Sequence, residues 1–402
     1  MSIDPPEVPV WPFARKADAP LIPPPQLAEL RSTCPIAQVE LWDGSYAWLA
    51  TRYHDVKALL RNPGLSSDTS LDGFPQSSET LKAARGAQKT FQRLDPPQHD
   101  VLRRMLTKDF SVSQIATLKP FIEALVDHLL DQIEAAGSPV DLVTALAEPL
   151  PAHVVCKILA LPPDDFGFFL DRVGRFMALS STPEQARTAA ADIADYLAEV
   201  VTARKGDLAD DLVSELIQKY LIPGALTEFE LVHMLHLLVI GGFDTTANMI
   251  ALGTILLLQN PSQMKDLRED PELIQGAVEE MLRYLSVAHH VAFRLAKADI
   301  EISDICIHAG DGVIAPVSAA NHDPEVFPEP QAFDVRRDAR DHVAFGFGVH
   351  QCLGQHLARL ELQVVFTKLL RRFPTLRLEA SPADLHFKDS MIYGVERCPV
   401  SW

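Results

Sequence analysis

The sequence predicts a mainly α-helical fold with a minor β part. Helical spacing of apolar residues dominates residues 98–285, whereas short strand patterns are found chiefly in residues 35–51 and 297–316. Length alone would allow two or three domains, but no linker interrupts the chain. We therefore predict one domain over residues 1–402, which opens on a Pro-rich segment, residues 1–25.

Charge and cysteine content narrow the class of protein. Acidic residues outnumber basic ones by 54 to 36, so the formal net charge is −18. Such a surface argues against nucleic acid or an anionic membrane as a partner. The five cysteines are far apart and form no CxxC pair, which indicates a reducing compartment rather than a disulfide framework. We expect a cytoplasmic monomer.

One apolar segment, residues 231–259, is long enough to cross a membrane. Its middle carries Asp244, Thr245, Thr246 and Asn248, and no basic cluster flanks it. The N-terminus lacks the basic start and apolar stretch of a signal peptide. These features favour a helix buried at the centre of an α-rich domain, with no membrane as a partner.

The first half of the chain predicts a hairpin, a long loop and then helices. Alternating apolar residues surround Asp43-Gly44 within residues 35–51, as in a β-hairpin. Residues 62–93 have turn residues and little periodicity, so we predict a long loop of functional importance. Asp95, followed by two prolines, predicts an N-cap at the start of the helical region.

The second half returns to strands and loops. Residues 321–350 carry Pro and Gly breakers and predict a loop, residues 353–373 predict a strong helix, and residues 391–402 predict a final hairpin. Three short strands are expected before the loop: Ile300–Ile302, Ile305–Ile307 and Gly312–Ile314.

The most informative stretch of the chain surrounds Cys352. Residues 345–354 read Phe-Gly-Phe-Gly-Val-His-Gln-Cys-Leu-Gly, and three glycines there allow the backbone to approach a flat ligand closely. Cys352 lies immediately before a predicted helix, whose amide donors and dipole stabilise a thiolate over a thiol. A thiolate is the axial ligand that pushes electron density onto iron.

The residues alone leave two other interpretations of Cys352 open. A lone cysteine in a turn is most often simply a free cysteine. Alternatively, zinc could be held by His342, His350, Cys352 and His356, although structural zinc sites usually have more thiolates at closer spacing.

Residues 345–354 resemble the signature of the cytochrome P-450 family, Phe-Gly-x-Gly-x-His-x-Cys-x-Gly, at every fixed position. The resemblance covers residues 48–402 and is closest to the soluble bacterial actinomycete-type class, which hydroxylates antibiotics, sterols and foreign compounds. It implies a triangular α-rich domain with a long central helix and small β-sheets. It also implies heme b (iron protoporphyrin IX), with Cys352 as the iron ligand and Phe345 and Gly346 beside the cofactor.

The central helix matches the family's pattern of small residues followed by an acid and an alcohol. It reads Gly241-Gly242-Phe243-Asp244-Thr245. The paired glycines leave room for dioxygen, and the resemblance places Gly241 beside the cofactor. The Thr245 hydroxyl can hold water or accept a hydrogen bond, and Asp244 can relay protons from solvent. Without the cysteine loop, a helix kink with back-bonded threonines would be the better interpretation.

Glu280 and Arg283 match the family's Glu-x-x-Arg motif on a later helix. Their spacing places them on one face, opposite the apolar stripe, so periodicity alone favours an exposed ion pair of little energy. The resemblance instead implies a buried structural pair joined by Arg337, and we adopt that prediction.

Four residues match the family positions that contact the haem propionates. His99 and Arg103 are four apart at a helix start, so they share a face. Arg294 lies just before a strand, and His350 lies in the cysteine loop. Arginine suits a carboxylate because its donors form a fork.

The resemblance implies a monooxygenase that inserts one atom of O2 into a small hydrophobic organic substrate. Electrons would come from NAD(P)H through a ferredoxin and an NAD(P)H-dependent ferredoxin reductase. The main alternative is a nitric oxide reductase, because residues 43–49 are similar to the fungal enzymes, but those lack an acid where this chain has Asp244. A peroxide-driven enzyme and a non-enzymatic haem sensor are further alternatives that would not need the acid–alcohol pair.

Substrate choice is expected to depend on several apolar segments. The candidates for the pocket lining are Phe74, Phe91, Phe176, Val239, Phe243, Val291, Ala292, Phe293 and Ile392. Two adjacent histidines, His289 and His290, are expected to face solvent. A basic patch near Cys352 could dock the electron donor and would consist of Arg104, Lys108, Arg359 and Arg371.

Overall fold

The structure is a computed structural model that describes residues 8–83 and 90–402. The α-helices in that part of the chain are α1 (Pro25–Thr33), α2 (Tyr53–Arg61), α3 (Glu79–Ala83), α4 (Gln98–Thr107), α5 (Val112–Ala116), α6 (Lys119–Ala136), α7 (Pro149–Ile158), α8 (Phe166–Met177), α9 (Pro183–Gly206), α10 (Leu212–Leu216), α11 (Glu228–Gln259), α12 (Pro261–Glu269), α13 (Ile274–Leu285), α14 (Val317–Ala320) and α15 (Gln355–Arg372). The β-strands there are β1 (Ile36–Glu40), β2 (Tyr46–Ala50), β3 (Leu65–Ser66), β4 (Val140–Asp141), β5 (Phe293–Ala296), β6 (Ile300–Ile302), β7 (Ile305–Ile307), β8 (Gly312–Ile314), β9 (Arg377–Leu378) and β10 (Pro399–Ser401).

The longest helix, α11, runs through the middle of the helical region. It begins at a capping box, in which the Thr227 hydroxyl accepts from the Glu230 amide and the Glu230 carboxylate accepts from the Thr227 amide. It packs against α7, α8, α9, α13 and α15. Its length and composition would suit a membrane span, yet 67% of its apolar window is buried inside the protein. This burial is typical of a core helix.

The strands form three small sheets in the orders β1-β2-β8-β5-β3, β4-β10-β9 and β6-β7. The predicted hairpin is confirmed: β1 and β2 are antiparallel with Ile36 opposite Ala50, and Gly44 in the turn has a φ of +77°. β2 then pairs in parallel with β8, with Trp48 opposite Val313. Because β8 also pairs with β5, this sheet carries Arg294 to the wall of the central cavity.

The predicted hairpin over residues 391–402 is wrong. A bridge between Phe387 and Val395 closes a turn earlier in the chain. The last strand, β10, pairs instead with β9 and with β4, where Val400 lies opposite Val140. Partners this distant in sequence leave no local turn signal from which the pairing could be predicted.

The predicted N-cap role of Asp95 is also wrong. α4 begins at Gln98, with Pro97 at the cap position and no side-chain cap. The Asp95 carboxylate instead accepts from the Ser67 amide at 2.9 Å and from Lys297 Nζ at 2.9 Å. It therefore ties the entry of α4 to the preceding loop and to the end of β5.

The predicted loop over residues 62–93 is interrupted by short elements. β3, α3 and a 3₁₀ turn, Phe91–Arg93, lie within it. Residues 84–89 of this segment, and residues 1–7 of the Pro-rich N-terminal segment, lie outside the described ranges.

Candidate functional site

A cavity of about 340 Å³ lies between α11, β5 and the cysteine loop, residues 345–354. Its walls are largely apolar, as is usual for a small-molecule site. The predicted residues that line it are Phe74, Phe91, His99, Arg103, Phe176, Gly241, Thr245, Val291, Ala292, Phe293, Arg294, Phe345, Gly346, His350, Cys352 and Ile392.

The cysteine loop holds Cys352 against this cavity. The Cys352 amide donates to the Phe345 carbonyl at 2.8 Å, which closes the loop. Gly346 and Gly348 have φ values of +71° and +80°, and a Cβ added to Gly348 would lie 2.9 Å from the backbone oxygen of Leu60. Backbone conformation and close packing therefore both require glycine at position 348.

The thiol of Cys352 is subject to opposing influences. Burial raises its pKa, whereas the Gly354 amide, Arg103 and Arg359 lower it, and the net direction is upward. The donors expected at the start of α15 are present, but in the chain alone they do not outweigh burial. A coordinated metal ion would reverse this balance, because a coordinating thiol loses its proton.

Two histidines present unpaired ring nitrogens to the cavity. His99 is buried, with Nδ1 2.8 Å from Asp100 Oδ1, and its Nε2 has no partner among the described residues. The His350 ring lies 4.3 Å from that of His99 between centroids, and its Nδ1 is likewise unpaired in the described chain. Burial and the neighbouring Arg294 lower the pKa of His350 to about 3, so its ring is neutral at neutral pH.

Three arginines lie beside these histidines. Burial lowers the pKa of Arg294 to about 10, helped by the neighbouring Arg93, whose own pKa burial also lowers. Arg103 Nη2 donates to the Gln351 carbonyl at 2.5 Å. Within the described ranges, none of the three guanidinium groups is ion-paired with a carboxylate. Buried cations of this kind need an anionic partner.

These features fit the haem that the sequence implies. A thiol faces the cavity and can serve as an iron ligand. The arginines and the unpaired imidazole nitrogens lack anionic partners of their own, and a haem carries two propionate carboxylates. The sequence analysis did not identify Arg93 as a residue of this site. Its position two residues before Asp95, in the segment that leads into α4, could have indicated it.

The paired glycines of α11, Gly241 and Gly242, have different roles. A Cβ added to Gly242 would lie 2.5 Å from Val155 Cγ2 on α7, so this glycine permits the close packing of two helices. A Cβ added to Gly241 would meet nothing within 4 Å. Both glycines were predicted to leave room for dioxygen, but only Gly241 borders open space.

This contrast predicts opposite effects of the same substitution. We expect Gly242→Ala to lower the free energy of unfolding by about 1–3 kcal/mol, because the added methyl group overpacks the contact with Val155. In the haem-free protein, the matched variant Gly241→Ala should leave it unchanged or raise it by up to about 1 kcal/mol, through higher helix propensity. Urea denaturation of both variants measures the difference, and equal stabilities would refute the packing role of Gly242.

Thr245 and Asp244 lie side by side on α11 but bond differently. Thr245 Oγ1 donates to the Gly241 carbonyl at 2.9 Å, the back bond that the kink interpretation anticipated. Its lone pairs remain able to accept a hydrogen bond. Asp244 Oδ1 accepts from Asn248 Nδ2 at 2.9 Å and from Lys388 Nζ at 3.4 Å. Thr245 lines the cavity, whereas Asp244 does not.

Two pocket candidates were wrongly assigned. Val239 and Phe243 are 0% and 1% exposed but do not line the cavity. They share one face of α11, four residues apart, and this face turns away from Gly241. The Phe243 ring packs against that of Phe169, with centroids 6.1 Å apart.

The expectation that His289 and His290 face solvent is wrong. His290 is 8% exposed, and His289 Nε2 lies 3.0 Å from the Ser390 carbonyl oxygen. Burial lowers the pKa of His290 to about 4 and that of His289 well below its usual value.

The alternative of a zinc site is also not supported. His342 Nε2 lies 3.1 Å from Glu279 Oε2, away from Cys352. In the described part of the chain, the side chains close enough together to share a metal ion are Asp299, Cys306 and His308, at the surface.

Glu280 and Arg283 form a buried ion pair, as the resemblance implied. Both side chains are 0% exposed, and Arg283 Nε donates to Glu280 Oε2 at 2.6 Å. Arg337 Nε donates to Glu280 Oε1 at 3.1 Å, which joins the third predicted member. The Asn321 and Pro330 carbonyls accept from Arg283 Nη1. Periodicity was misleading because the loop that follows α14 covers the polar face of α13.

Some cavity residues carried no sequence signal. Glu361 on α15 lines the cavity, its Oε2 has no partner among the described residues, and burial raises its pKa to about 8. Further apolar lining comes from α7, from the residue that follows it and from α11, namely Val155, Ile158, Leu159, Leu237, Leu238, Ile240 and Met249.

Comparisons with known proteins agree with this geometry. Residues 169–390 match the family model described as "Cytochrome P450". The chain is 43% identical to cytochrome P450-SU2 of Streptomyces griseolus, over 99% of this chain and 98% of the relative. It is 39% identical to 20-oxo-5-O-mycaminosyltylactone 23-monooxygenase of Streptomyces fradiae, over 98% of this chain and 92% of the relative.

A solved structure extends the agreement to the fold. The crystal structure of mycinamicin VIII C21 methyl hydroxylase from Micromonospora griseorubida, bound to mycinamicin VIII, matches with a TM-score of 0.93 and 40% sequence identity. The match covers 98% of this chain and 100% of that one. The chain therefore belongs to the cytochrome P450 family, and it has the mainly α-helical fold of that family.

Proposed function

We propose that this protein is a haem-thiolate monooxygenase, which inserts one oxygen atom from O2 into a small hydrophobic organic substrate. The observation that carries the proposal is a largely apolar cavity with the Cys352 thiol on one wall and the Thr245 hydroxyl on another. When bound, haem would supply the iron at which dioxygen is activated. The chain has no CxxCH sequence for covalent attachment, which favours heme b.

Each predicted residue has a role in this proposal. Cys352 is the iron ligand, and Phe345, Gly346 and Gly241 give the flat cofactor close backbone contact. The propionate partners are His99, Arg103, Arg294 and His350, to which we add Arg93. The unpaired ring nitrogens of His99 and His350 support this assignment, as do the buried guanidinium groups of Arg93 and Arg294.

Proton supply is assigned to the acid–alcohol pair. Asp244 is 13% exposed and is held by Asn248 and Lys388, a position between solvent and the cavity that suits a proton relay. The Thr245 hydroxyl donates its hydrogen bond to the Gly241 carbonyl. Its oxygen therefore remains available to accept a hydrogen bond from a group in the cavity. This arrangement orients one acceptor beside the place where oxygen chemistry would occur.

The variant Thr245→Ala tests this assignment. We expect normal substrate binding but much less product per NADPH consumed, with electrons diverted to peroxide or water. Thr254→Ala is the matched control, since Thr254 makes the same back bond, to the Ile250 carbonyl at 2.8 Å, but does not line the cavity. Unchanged product per NADPH in Thr245→Ala would refute the relay.

The alternatives receive less support. Relatives across nearly the whole chain are named as hydroxylases and a monooxygenase, which does not favour a nitric oxide reductase or a sensor. Nitric oxide reduction would be favoured if the purified protein consumed NADH and nitric oxide without a redox partner. The named substrates of relatives, vitamin D3 and mycinamicin VIII, support an organic small molecule as the substrate here.

We propose that a ferredoxin and its NAD(P)H-dependent reductase supply the electrons. We also propose that the protein is a single-domain monomer in the cytoplasm. The ferredoxin would dock beside Cys352, where α4 contacts the cysteine loop through Arg103. Arg104 on α4 and Lys108 directly after it are exposed and suit an acidic partner. Arg359 is less suitable, because its guanidinium donates two hydrogen bonds to Glu279.

A further inference from the structure

A second cavity, also of about 340 Å³, lies beside the central one: His289 and His290 line it, whereas the flanking Ala288 and Val291 line the central cavity. Its walls come from residues 11–24, from the histidine pair of the segment before β5, and from residues 383–393. No residue lines both this cavity and the central one. The two cavities therefore have different linings, and apart from Lys388, which is paired with Asp244, nothing assigned so far explains the polar groups of the second one.

The most unusual of these groups is the Arg15 side chain. Its Nη1 donates to the Pro20 carbonyl at 3.3 Å, whereas Nε and Nη2 are buried and have no partner in the described chain. The guanidinium lies 3.9 Å from the centroid of the Tyr393 ring. Burial lowers the pKa of Arg15 to about 10. No carboxylate forms an ion pair with Arg15 among the described residues, so a buried cation lacks its counter-charge.

Two further ring nitrogen atoms in the same cavity are unpaired. Trp11 Nε1 and His290 Nδ1 are buried and have no hydrogen-bond partner among the described residues. The two rings are in edge contact, with centroids 5.8 Å apart. Three side chains from two distant parts of the chain thus bring unpaired polar nitrogen atoms into one cavity. Burying so many unsatisfied groups is costly unless a ligand bonds to them.

We propose that this cavity binds an organic monocarboxylate with an aromatic or apolar body. Nε and Nη2 form one edge of the guanidinium, and a carboxylate can accept from both in parallel. The aromatic rings of Phe13, Phe387 and Tyr393 provide apolar walls for the rest of the molecule.

A single negative charge suits the site better than a phosphate dianion. One buried cation, Arg15, needs one counter-charge. Lys388 also lines the cavity, but it is already paired with Asp244 and Glu148. Asp389 lines the cavity as well, and its repulsion grows with each negative charge that the ligand carries.

Isothermal titration calorimetry of the holoenzyme with benzoate tests the proposal. We expect benzoate to bind, and its affinity to fall by about 10- to 100-fold in Arg15→Gln, the range expected for lost hydrogen bonds to a charged group. Arg340→Gln is the matched control, because Arg340 is an exposed arginine that does not line this cavity. This variant should bind benzoate as the unmodified protein does. Benzamide, which has the same shape without the charge, should bind far more weakly.

Thermal unfolding gives a second measurement that does not depend on enzymatic activity. Benzoate should raise the unfolding temperature of the unmodified protein but not that of Arg15→Gln. Without ligand, Arg15→Gln should be at least as stable as the unmodified protein, because it removes an uncompensated buried charge. The proposal is overturned if benzoate does not bind, if Arg15→Gln binds it equally well, or if benzamide binds as tightly as benzoate.

Discussion

Replacement of Cys352 by alanine or histidine is expected to abolish the thiolate-type spectrum of the ferrous carbon monoxide complex. The five cysteines all lie within the described ranges, and Cys352 is the one that lines the central cavity. Alanine offers iron no ligand, and histidine offers a neutral nitrogen that lacks the electron-donating character of a thiolate. We expect loss of monooxygenase activity in both variants.

The control for this experiment is Cys306→Ala. Cys306 is exposed on β7 and far from the cavity lining, so its removal should leave the spectrum and the activity unchanged. A thiolate-type spectrum that persists in Cys352→Ala would mean that another residue is the ligand. Far-ultraviolet circular dichroism distinguishes loss of the ligand from loss of the fold.

Arg283→Leu is expected to destabilise the protein by about 3–5 kcal/mol, since it leaves the buried Glu280 carboxylate without its principal partner. Arg283 also donates to the Asn321 and Pro330 carbonyls, so the substitution leaves those acceptors unpaired as well. These carbonyls belong to the segment that leads to the cysteine loop. We therefore expect weaker haem retention together with the loss of stability.

Arg340→Leu makes the same substitution in an exposed ion pair. Arg340 Nη2 lies 2.6 Å from Asp338 Oδ2, and its side chain is 80% exposed. The unfolding midpoint of this control should stay close to that of the unmodified protein. Adding Glu280→Leu to Arg283→Leu should recover part of the lost stability, because it removes the orphaned carboxylate. If Arg283→Leu unfolds at the same midpoint as Arg340→Leu, the buried pair does not have the structural role assigned to it.

Local sequence patterns predicted the elements that depend on neighbouring residues. The β1–β2 hairpin follows from a Gly turn between alternating strands, and α11 follows from a long apolar run. The glycines of the cysteine loop are similarly local, since positive φ values at Gly346 and Gly348 are a property of single residues. These features carried the family resemblance, which the comparisons confirmed.

Sequence patterns over a few residues could not predict which segments of the chain cover each face of a helix. The spacing of Glu280 and Arg283 indicates a shared face, but a loop about 40 residues later decides that this face is buried. Likewise, α11 is apolar on nearly every side, so its sequence does not distinguish the face of Gly241 from that of Phe243. Contacts with α7 and α8 decide which side borders the cavity.

The sequence by itself determined the family, the helical architecture, the cysteine that faces the cavity and most of the cationic residues around it. The tertiary structure alone decided the pairing of the last strand, the different roles of Gly241 and Gly242, and the burial of His290 beside Arg15 in a second cavity. The physical reason is that burial and unpaired hydrogen-bonding groups depend on segments far apart in the chain. Contacts between distant segments leave no periodic signal in the sequence of either segment.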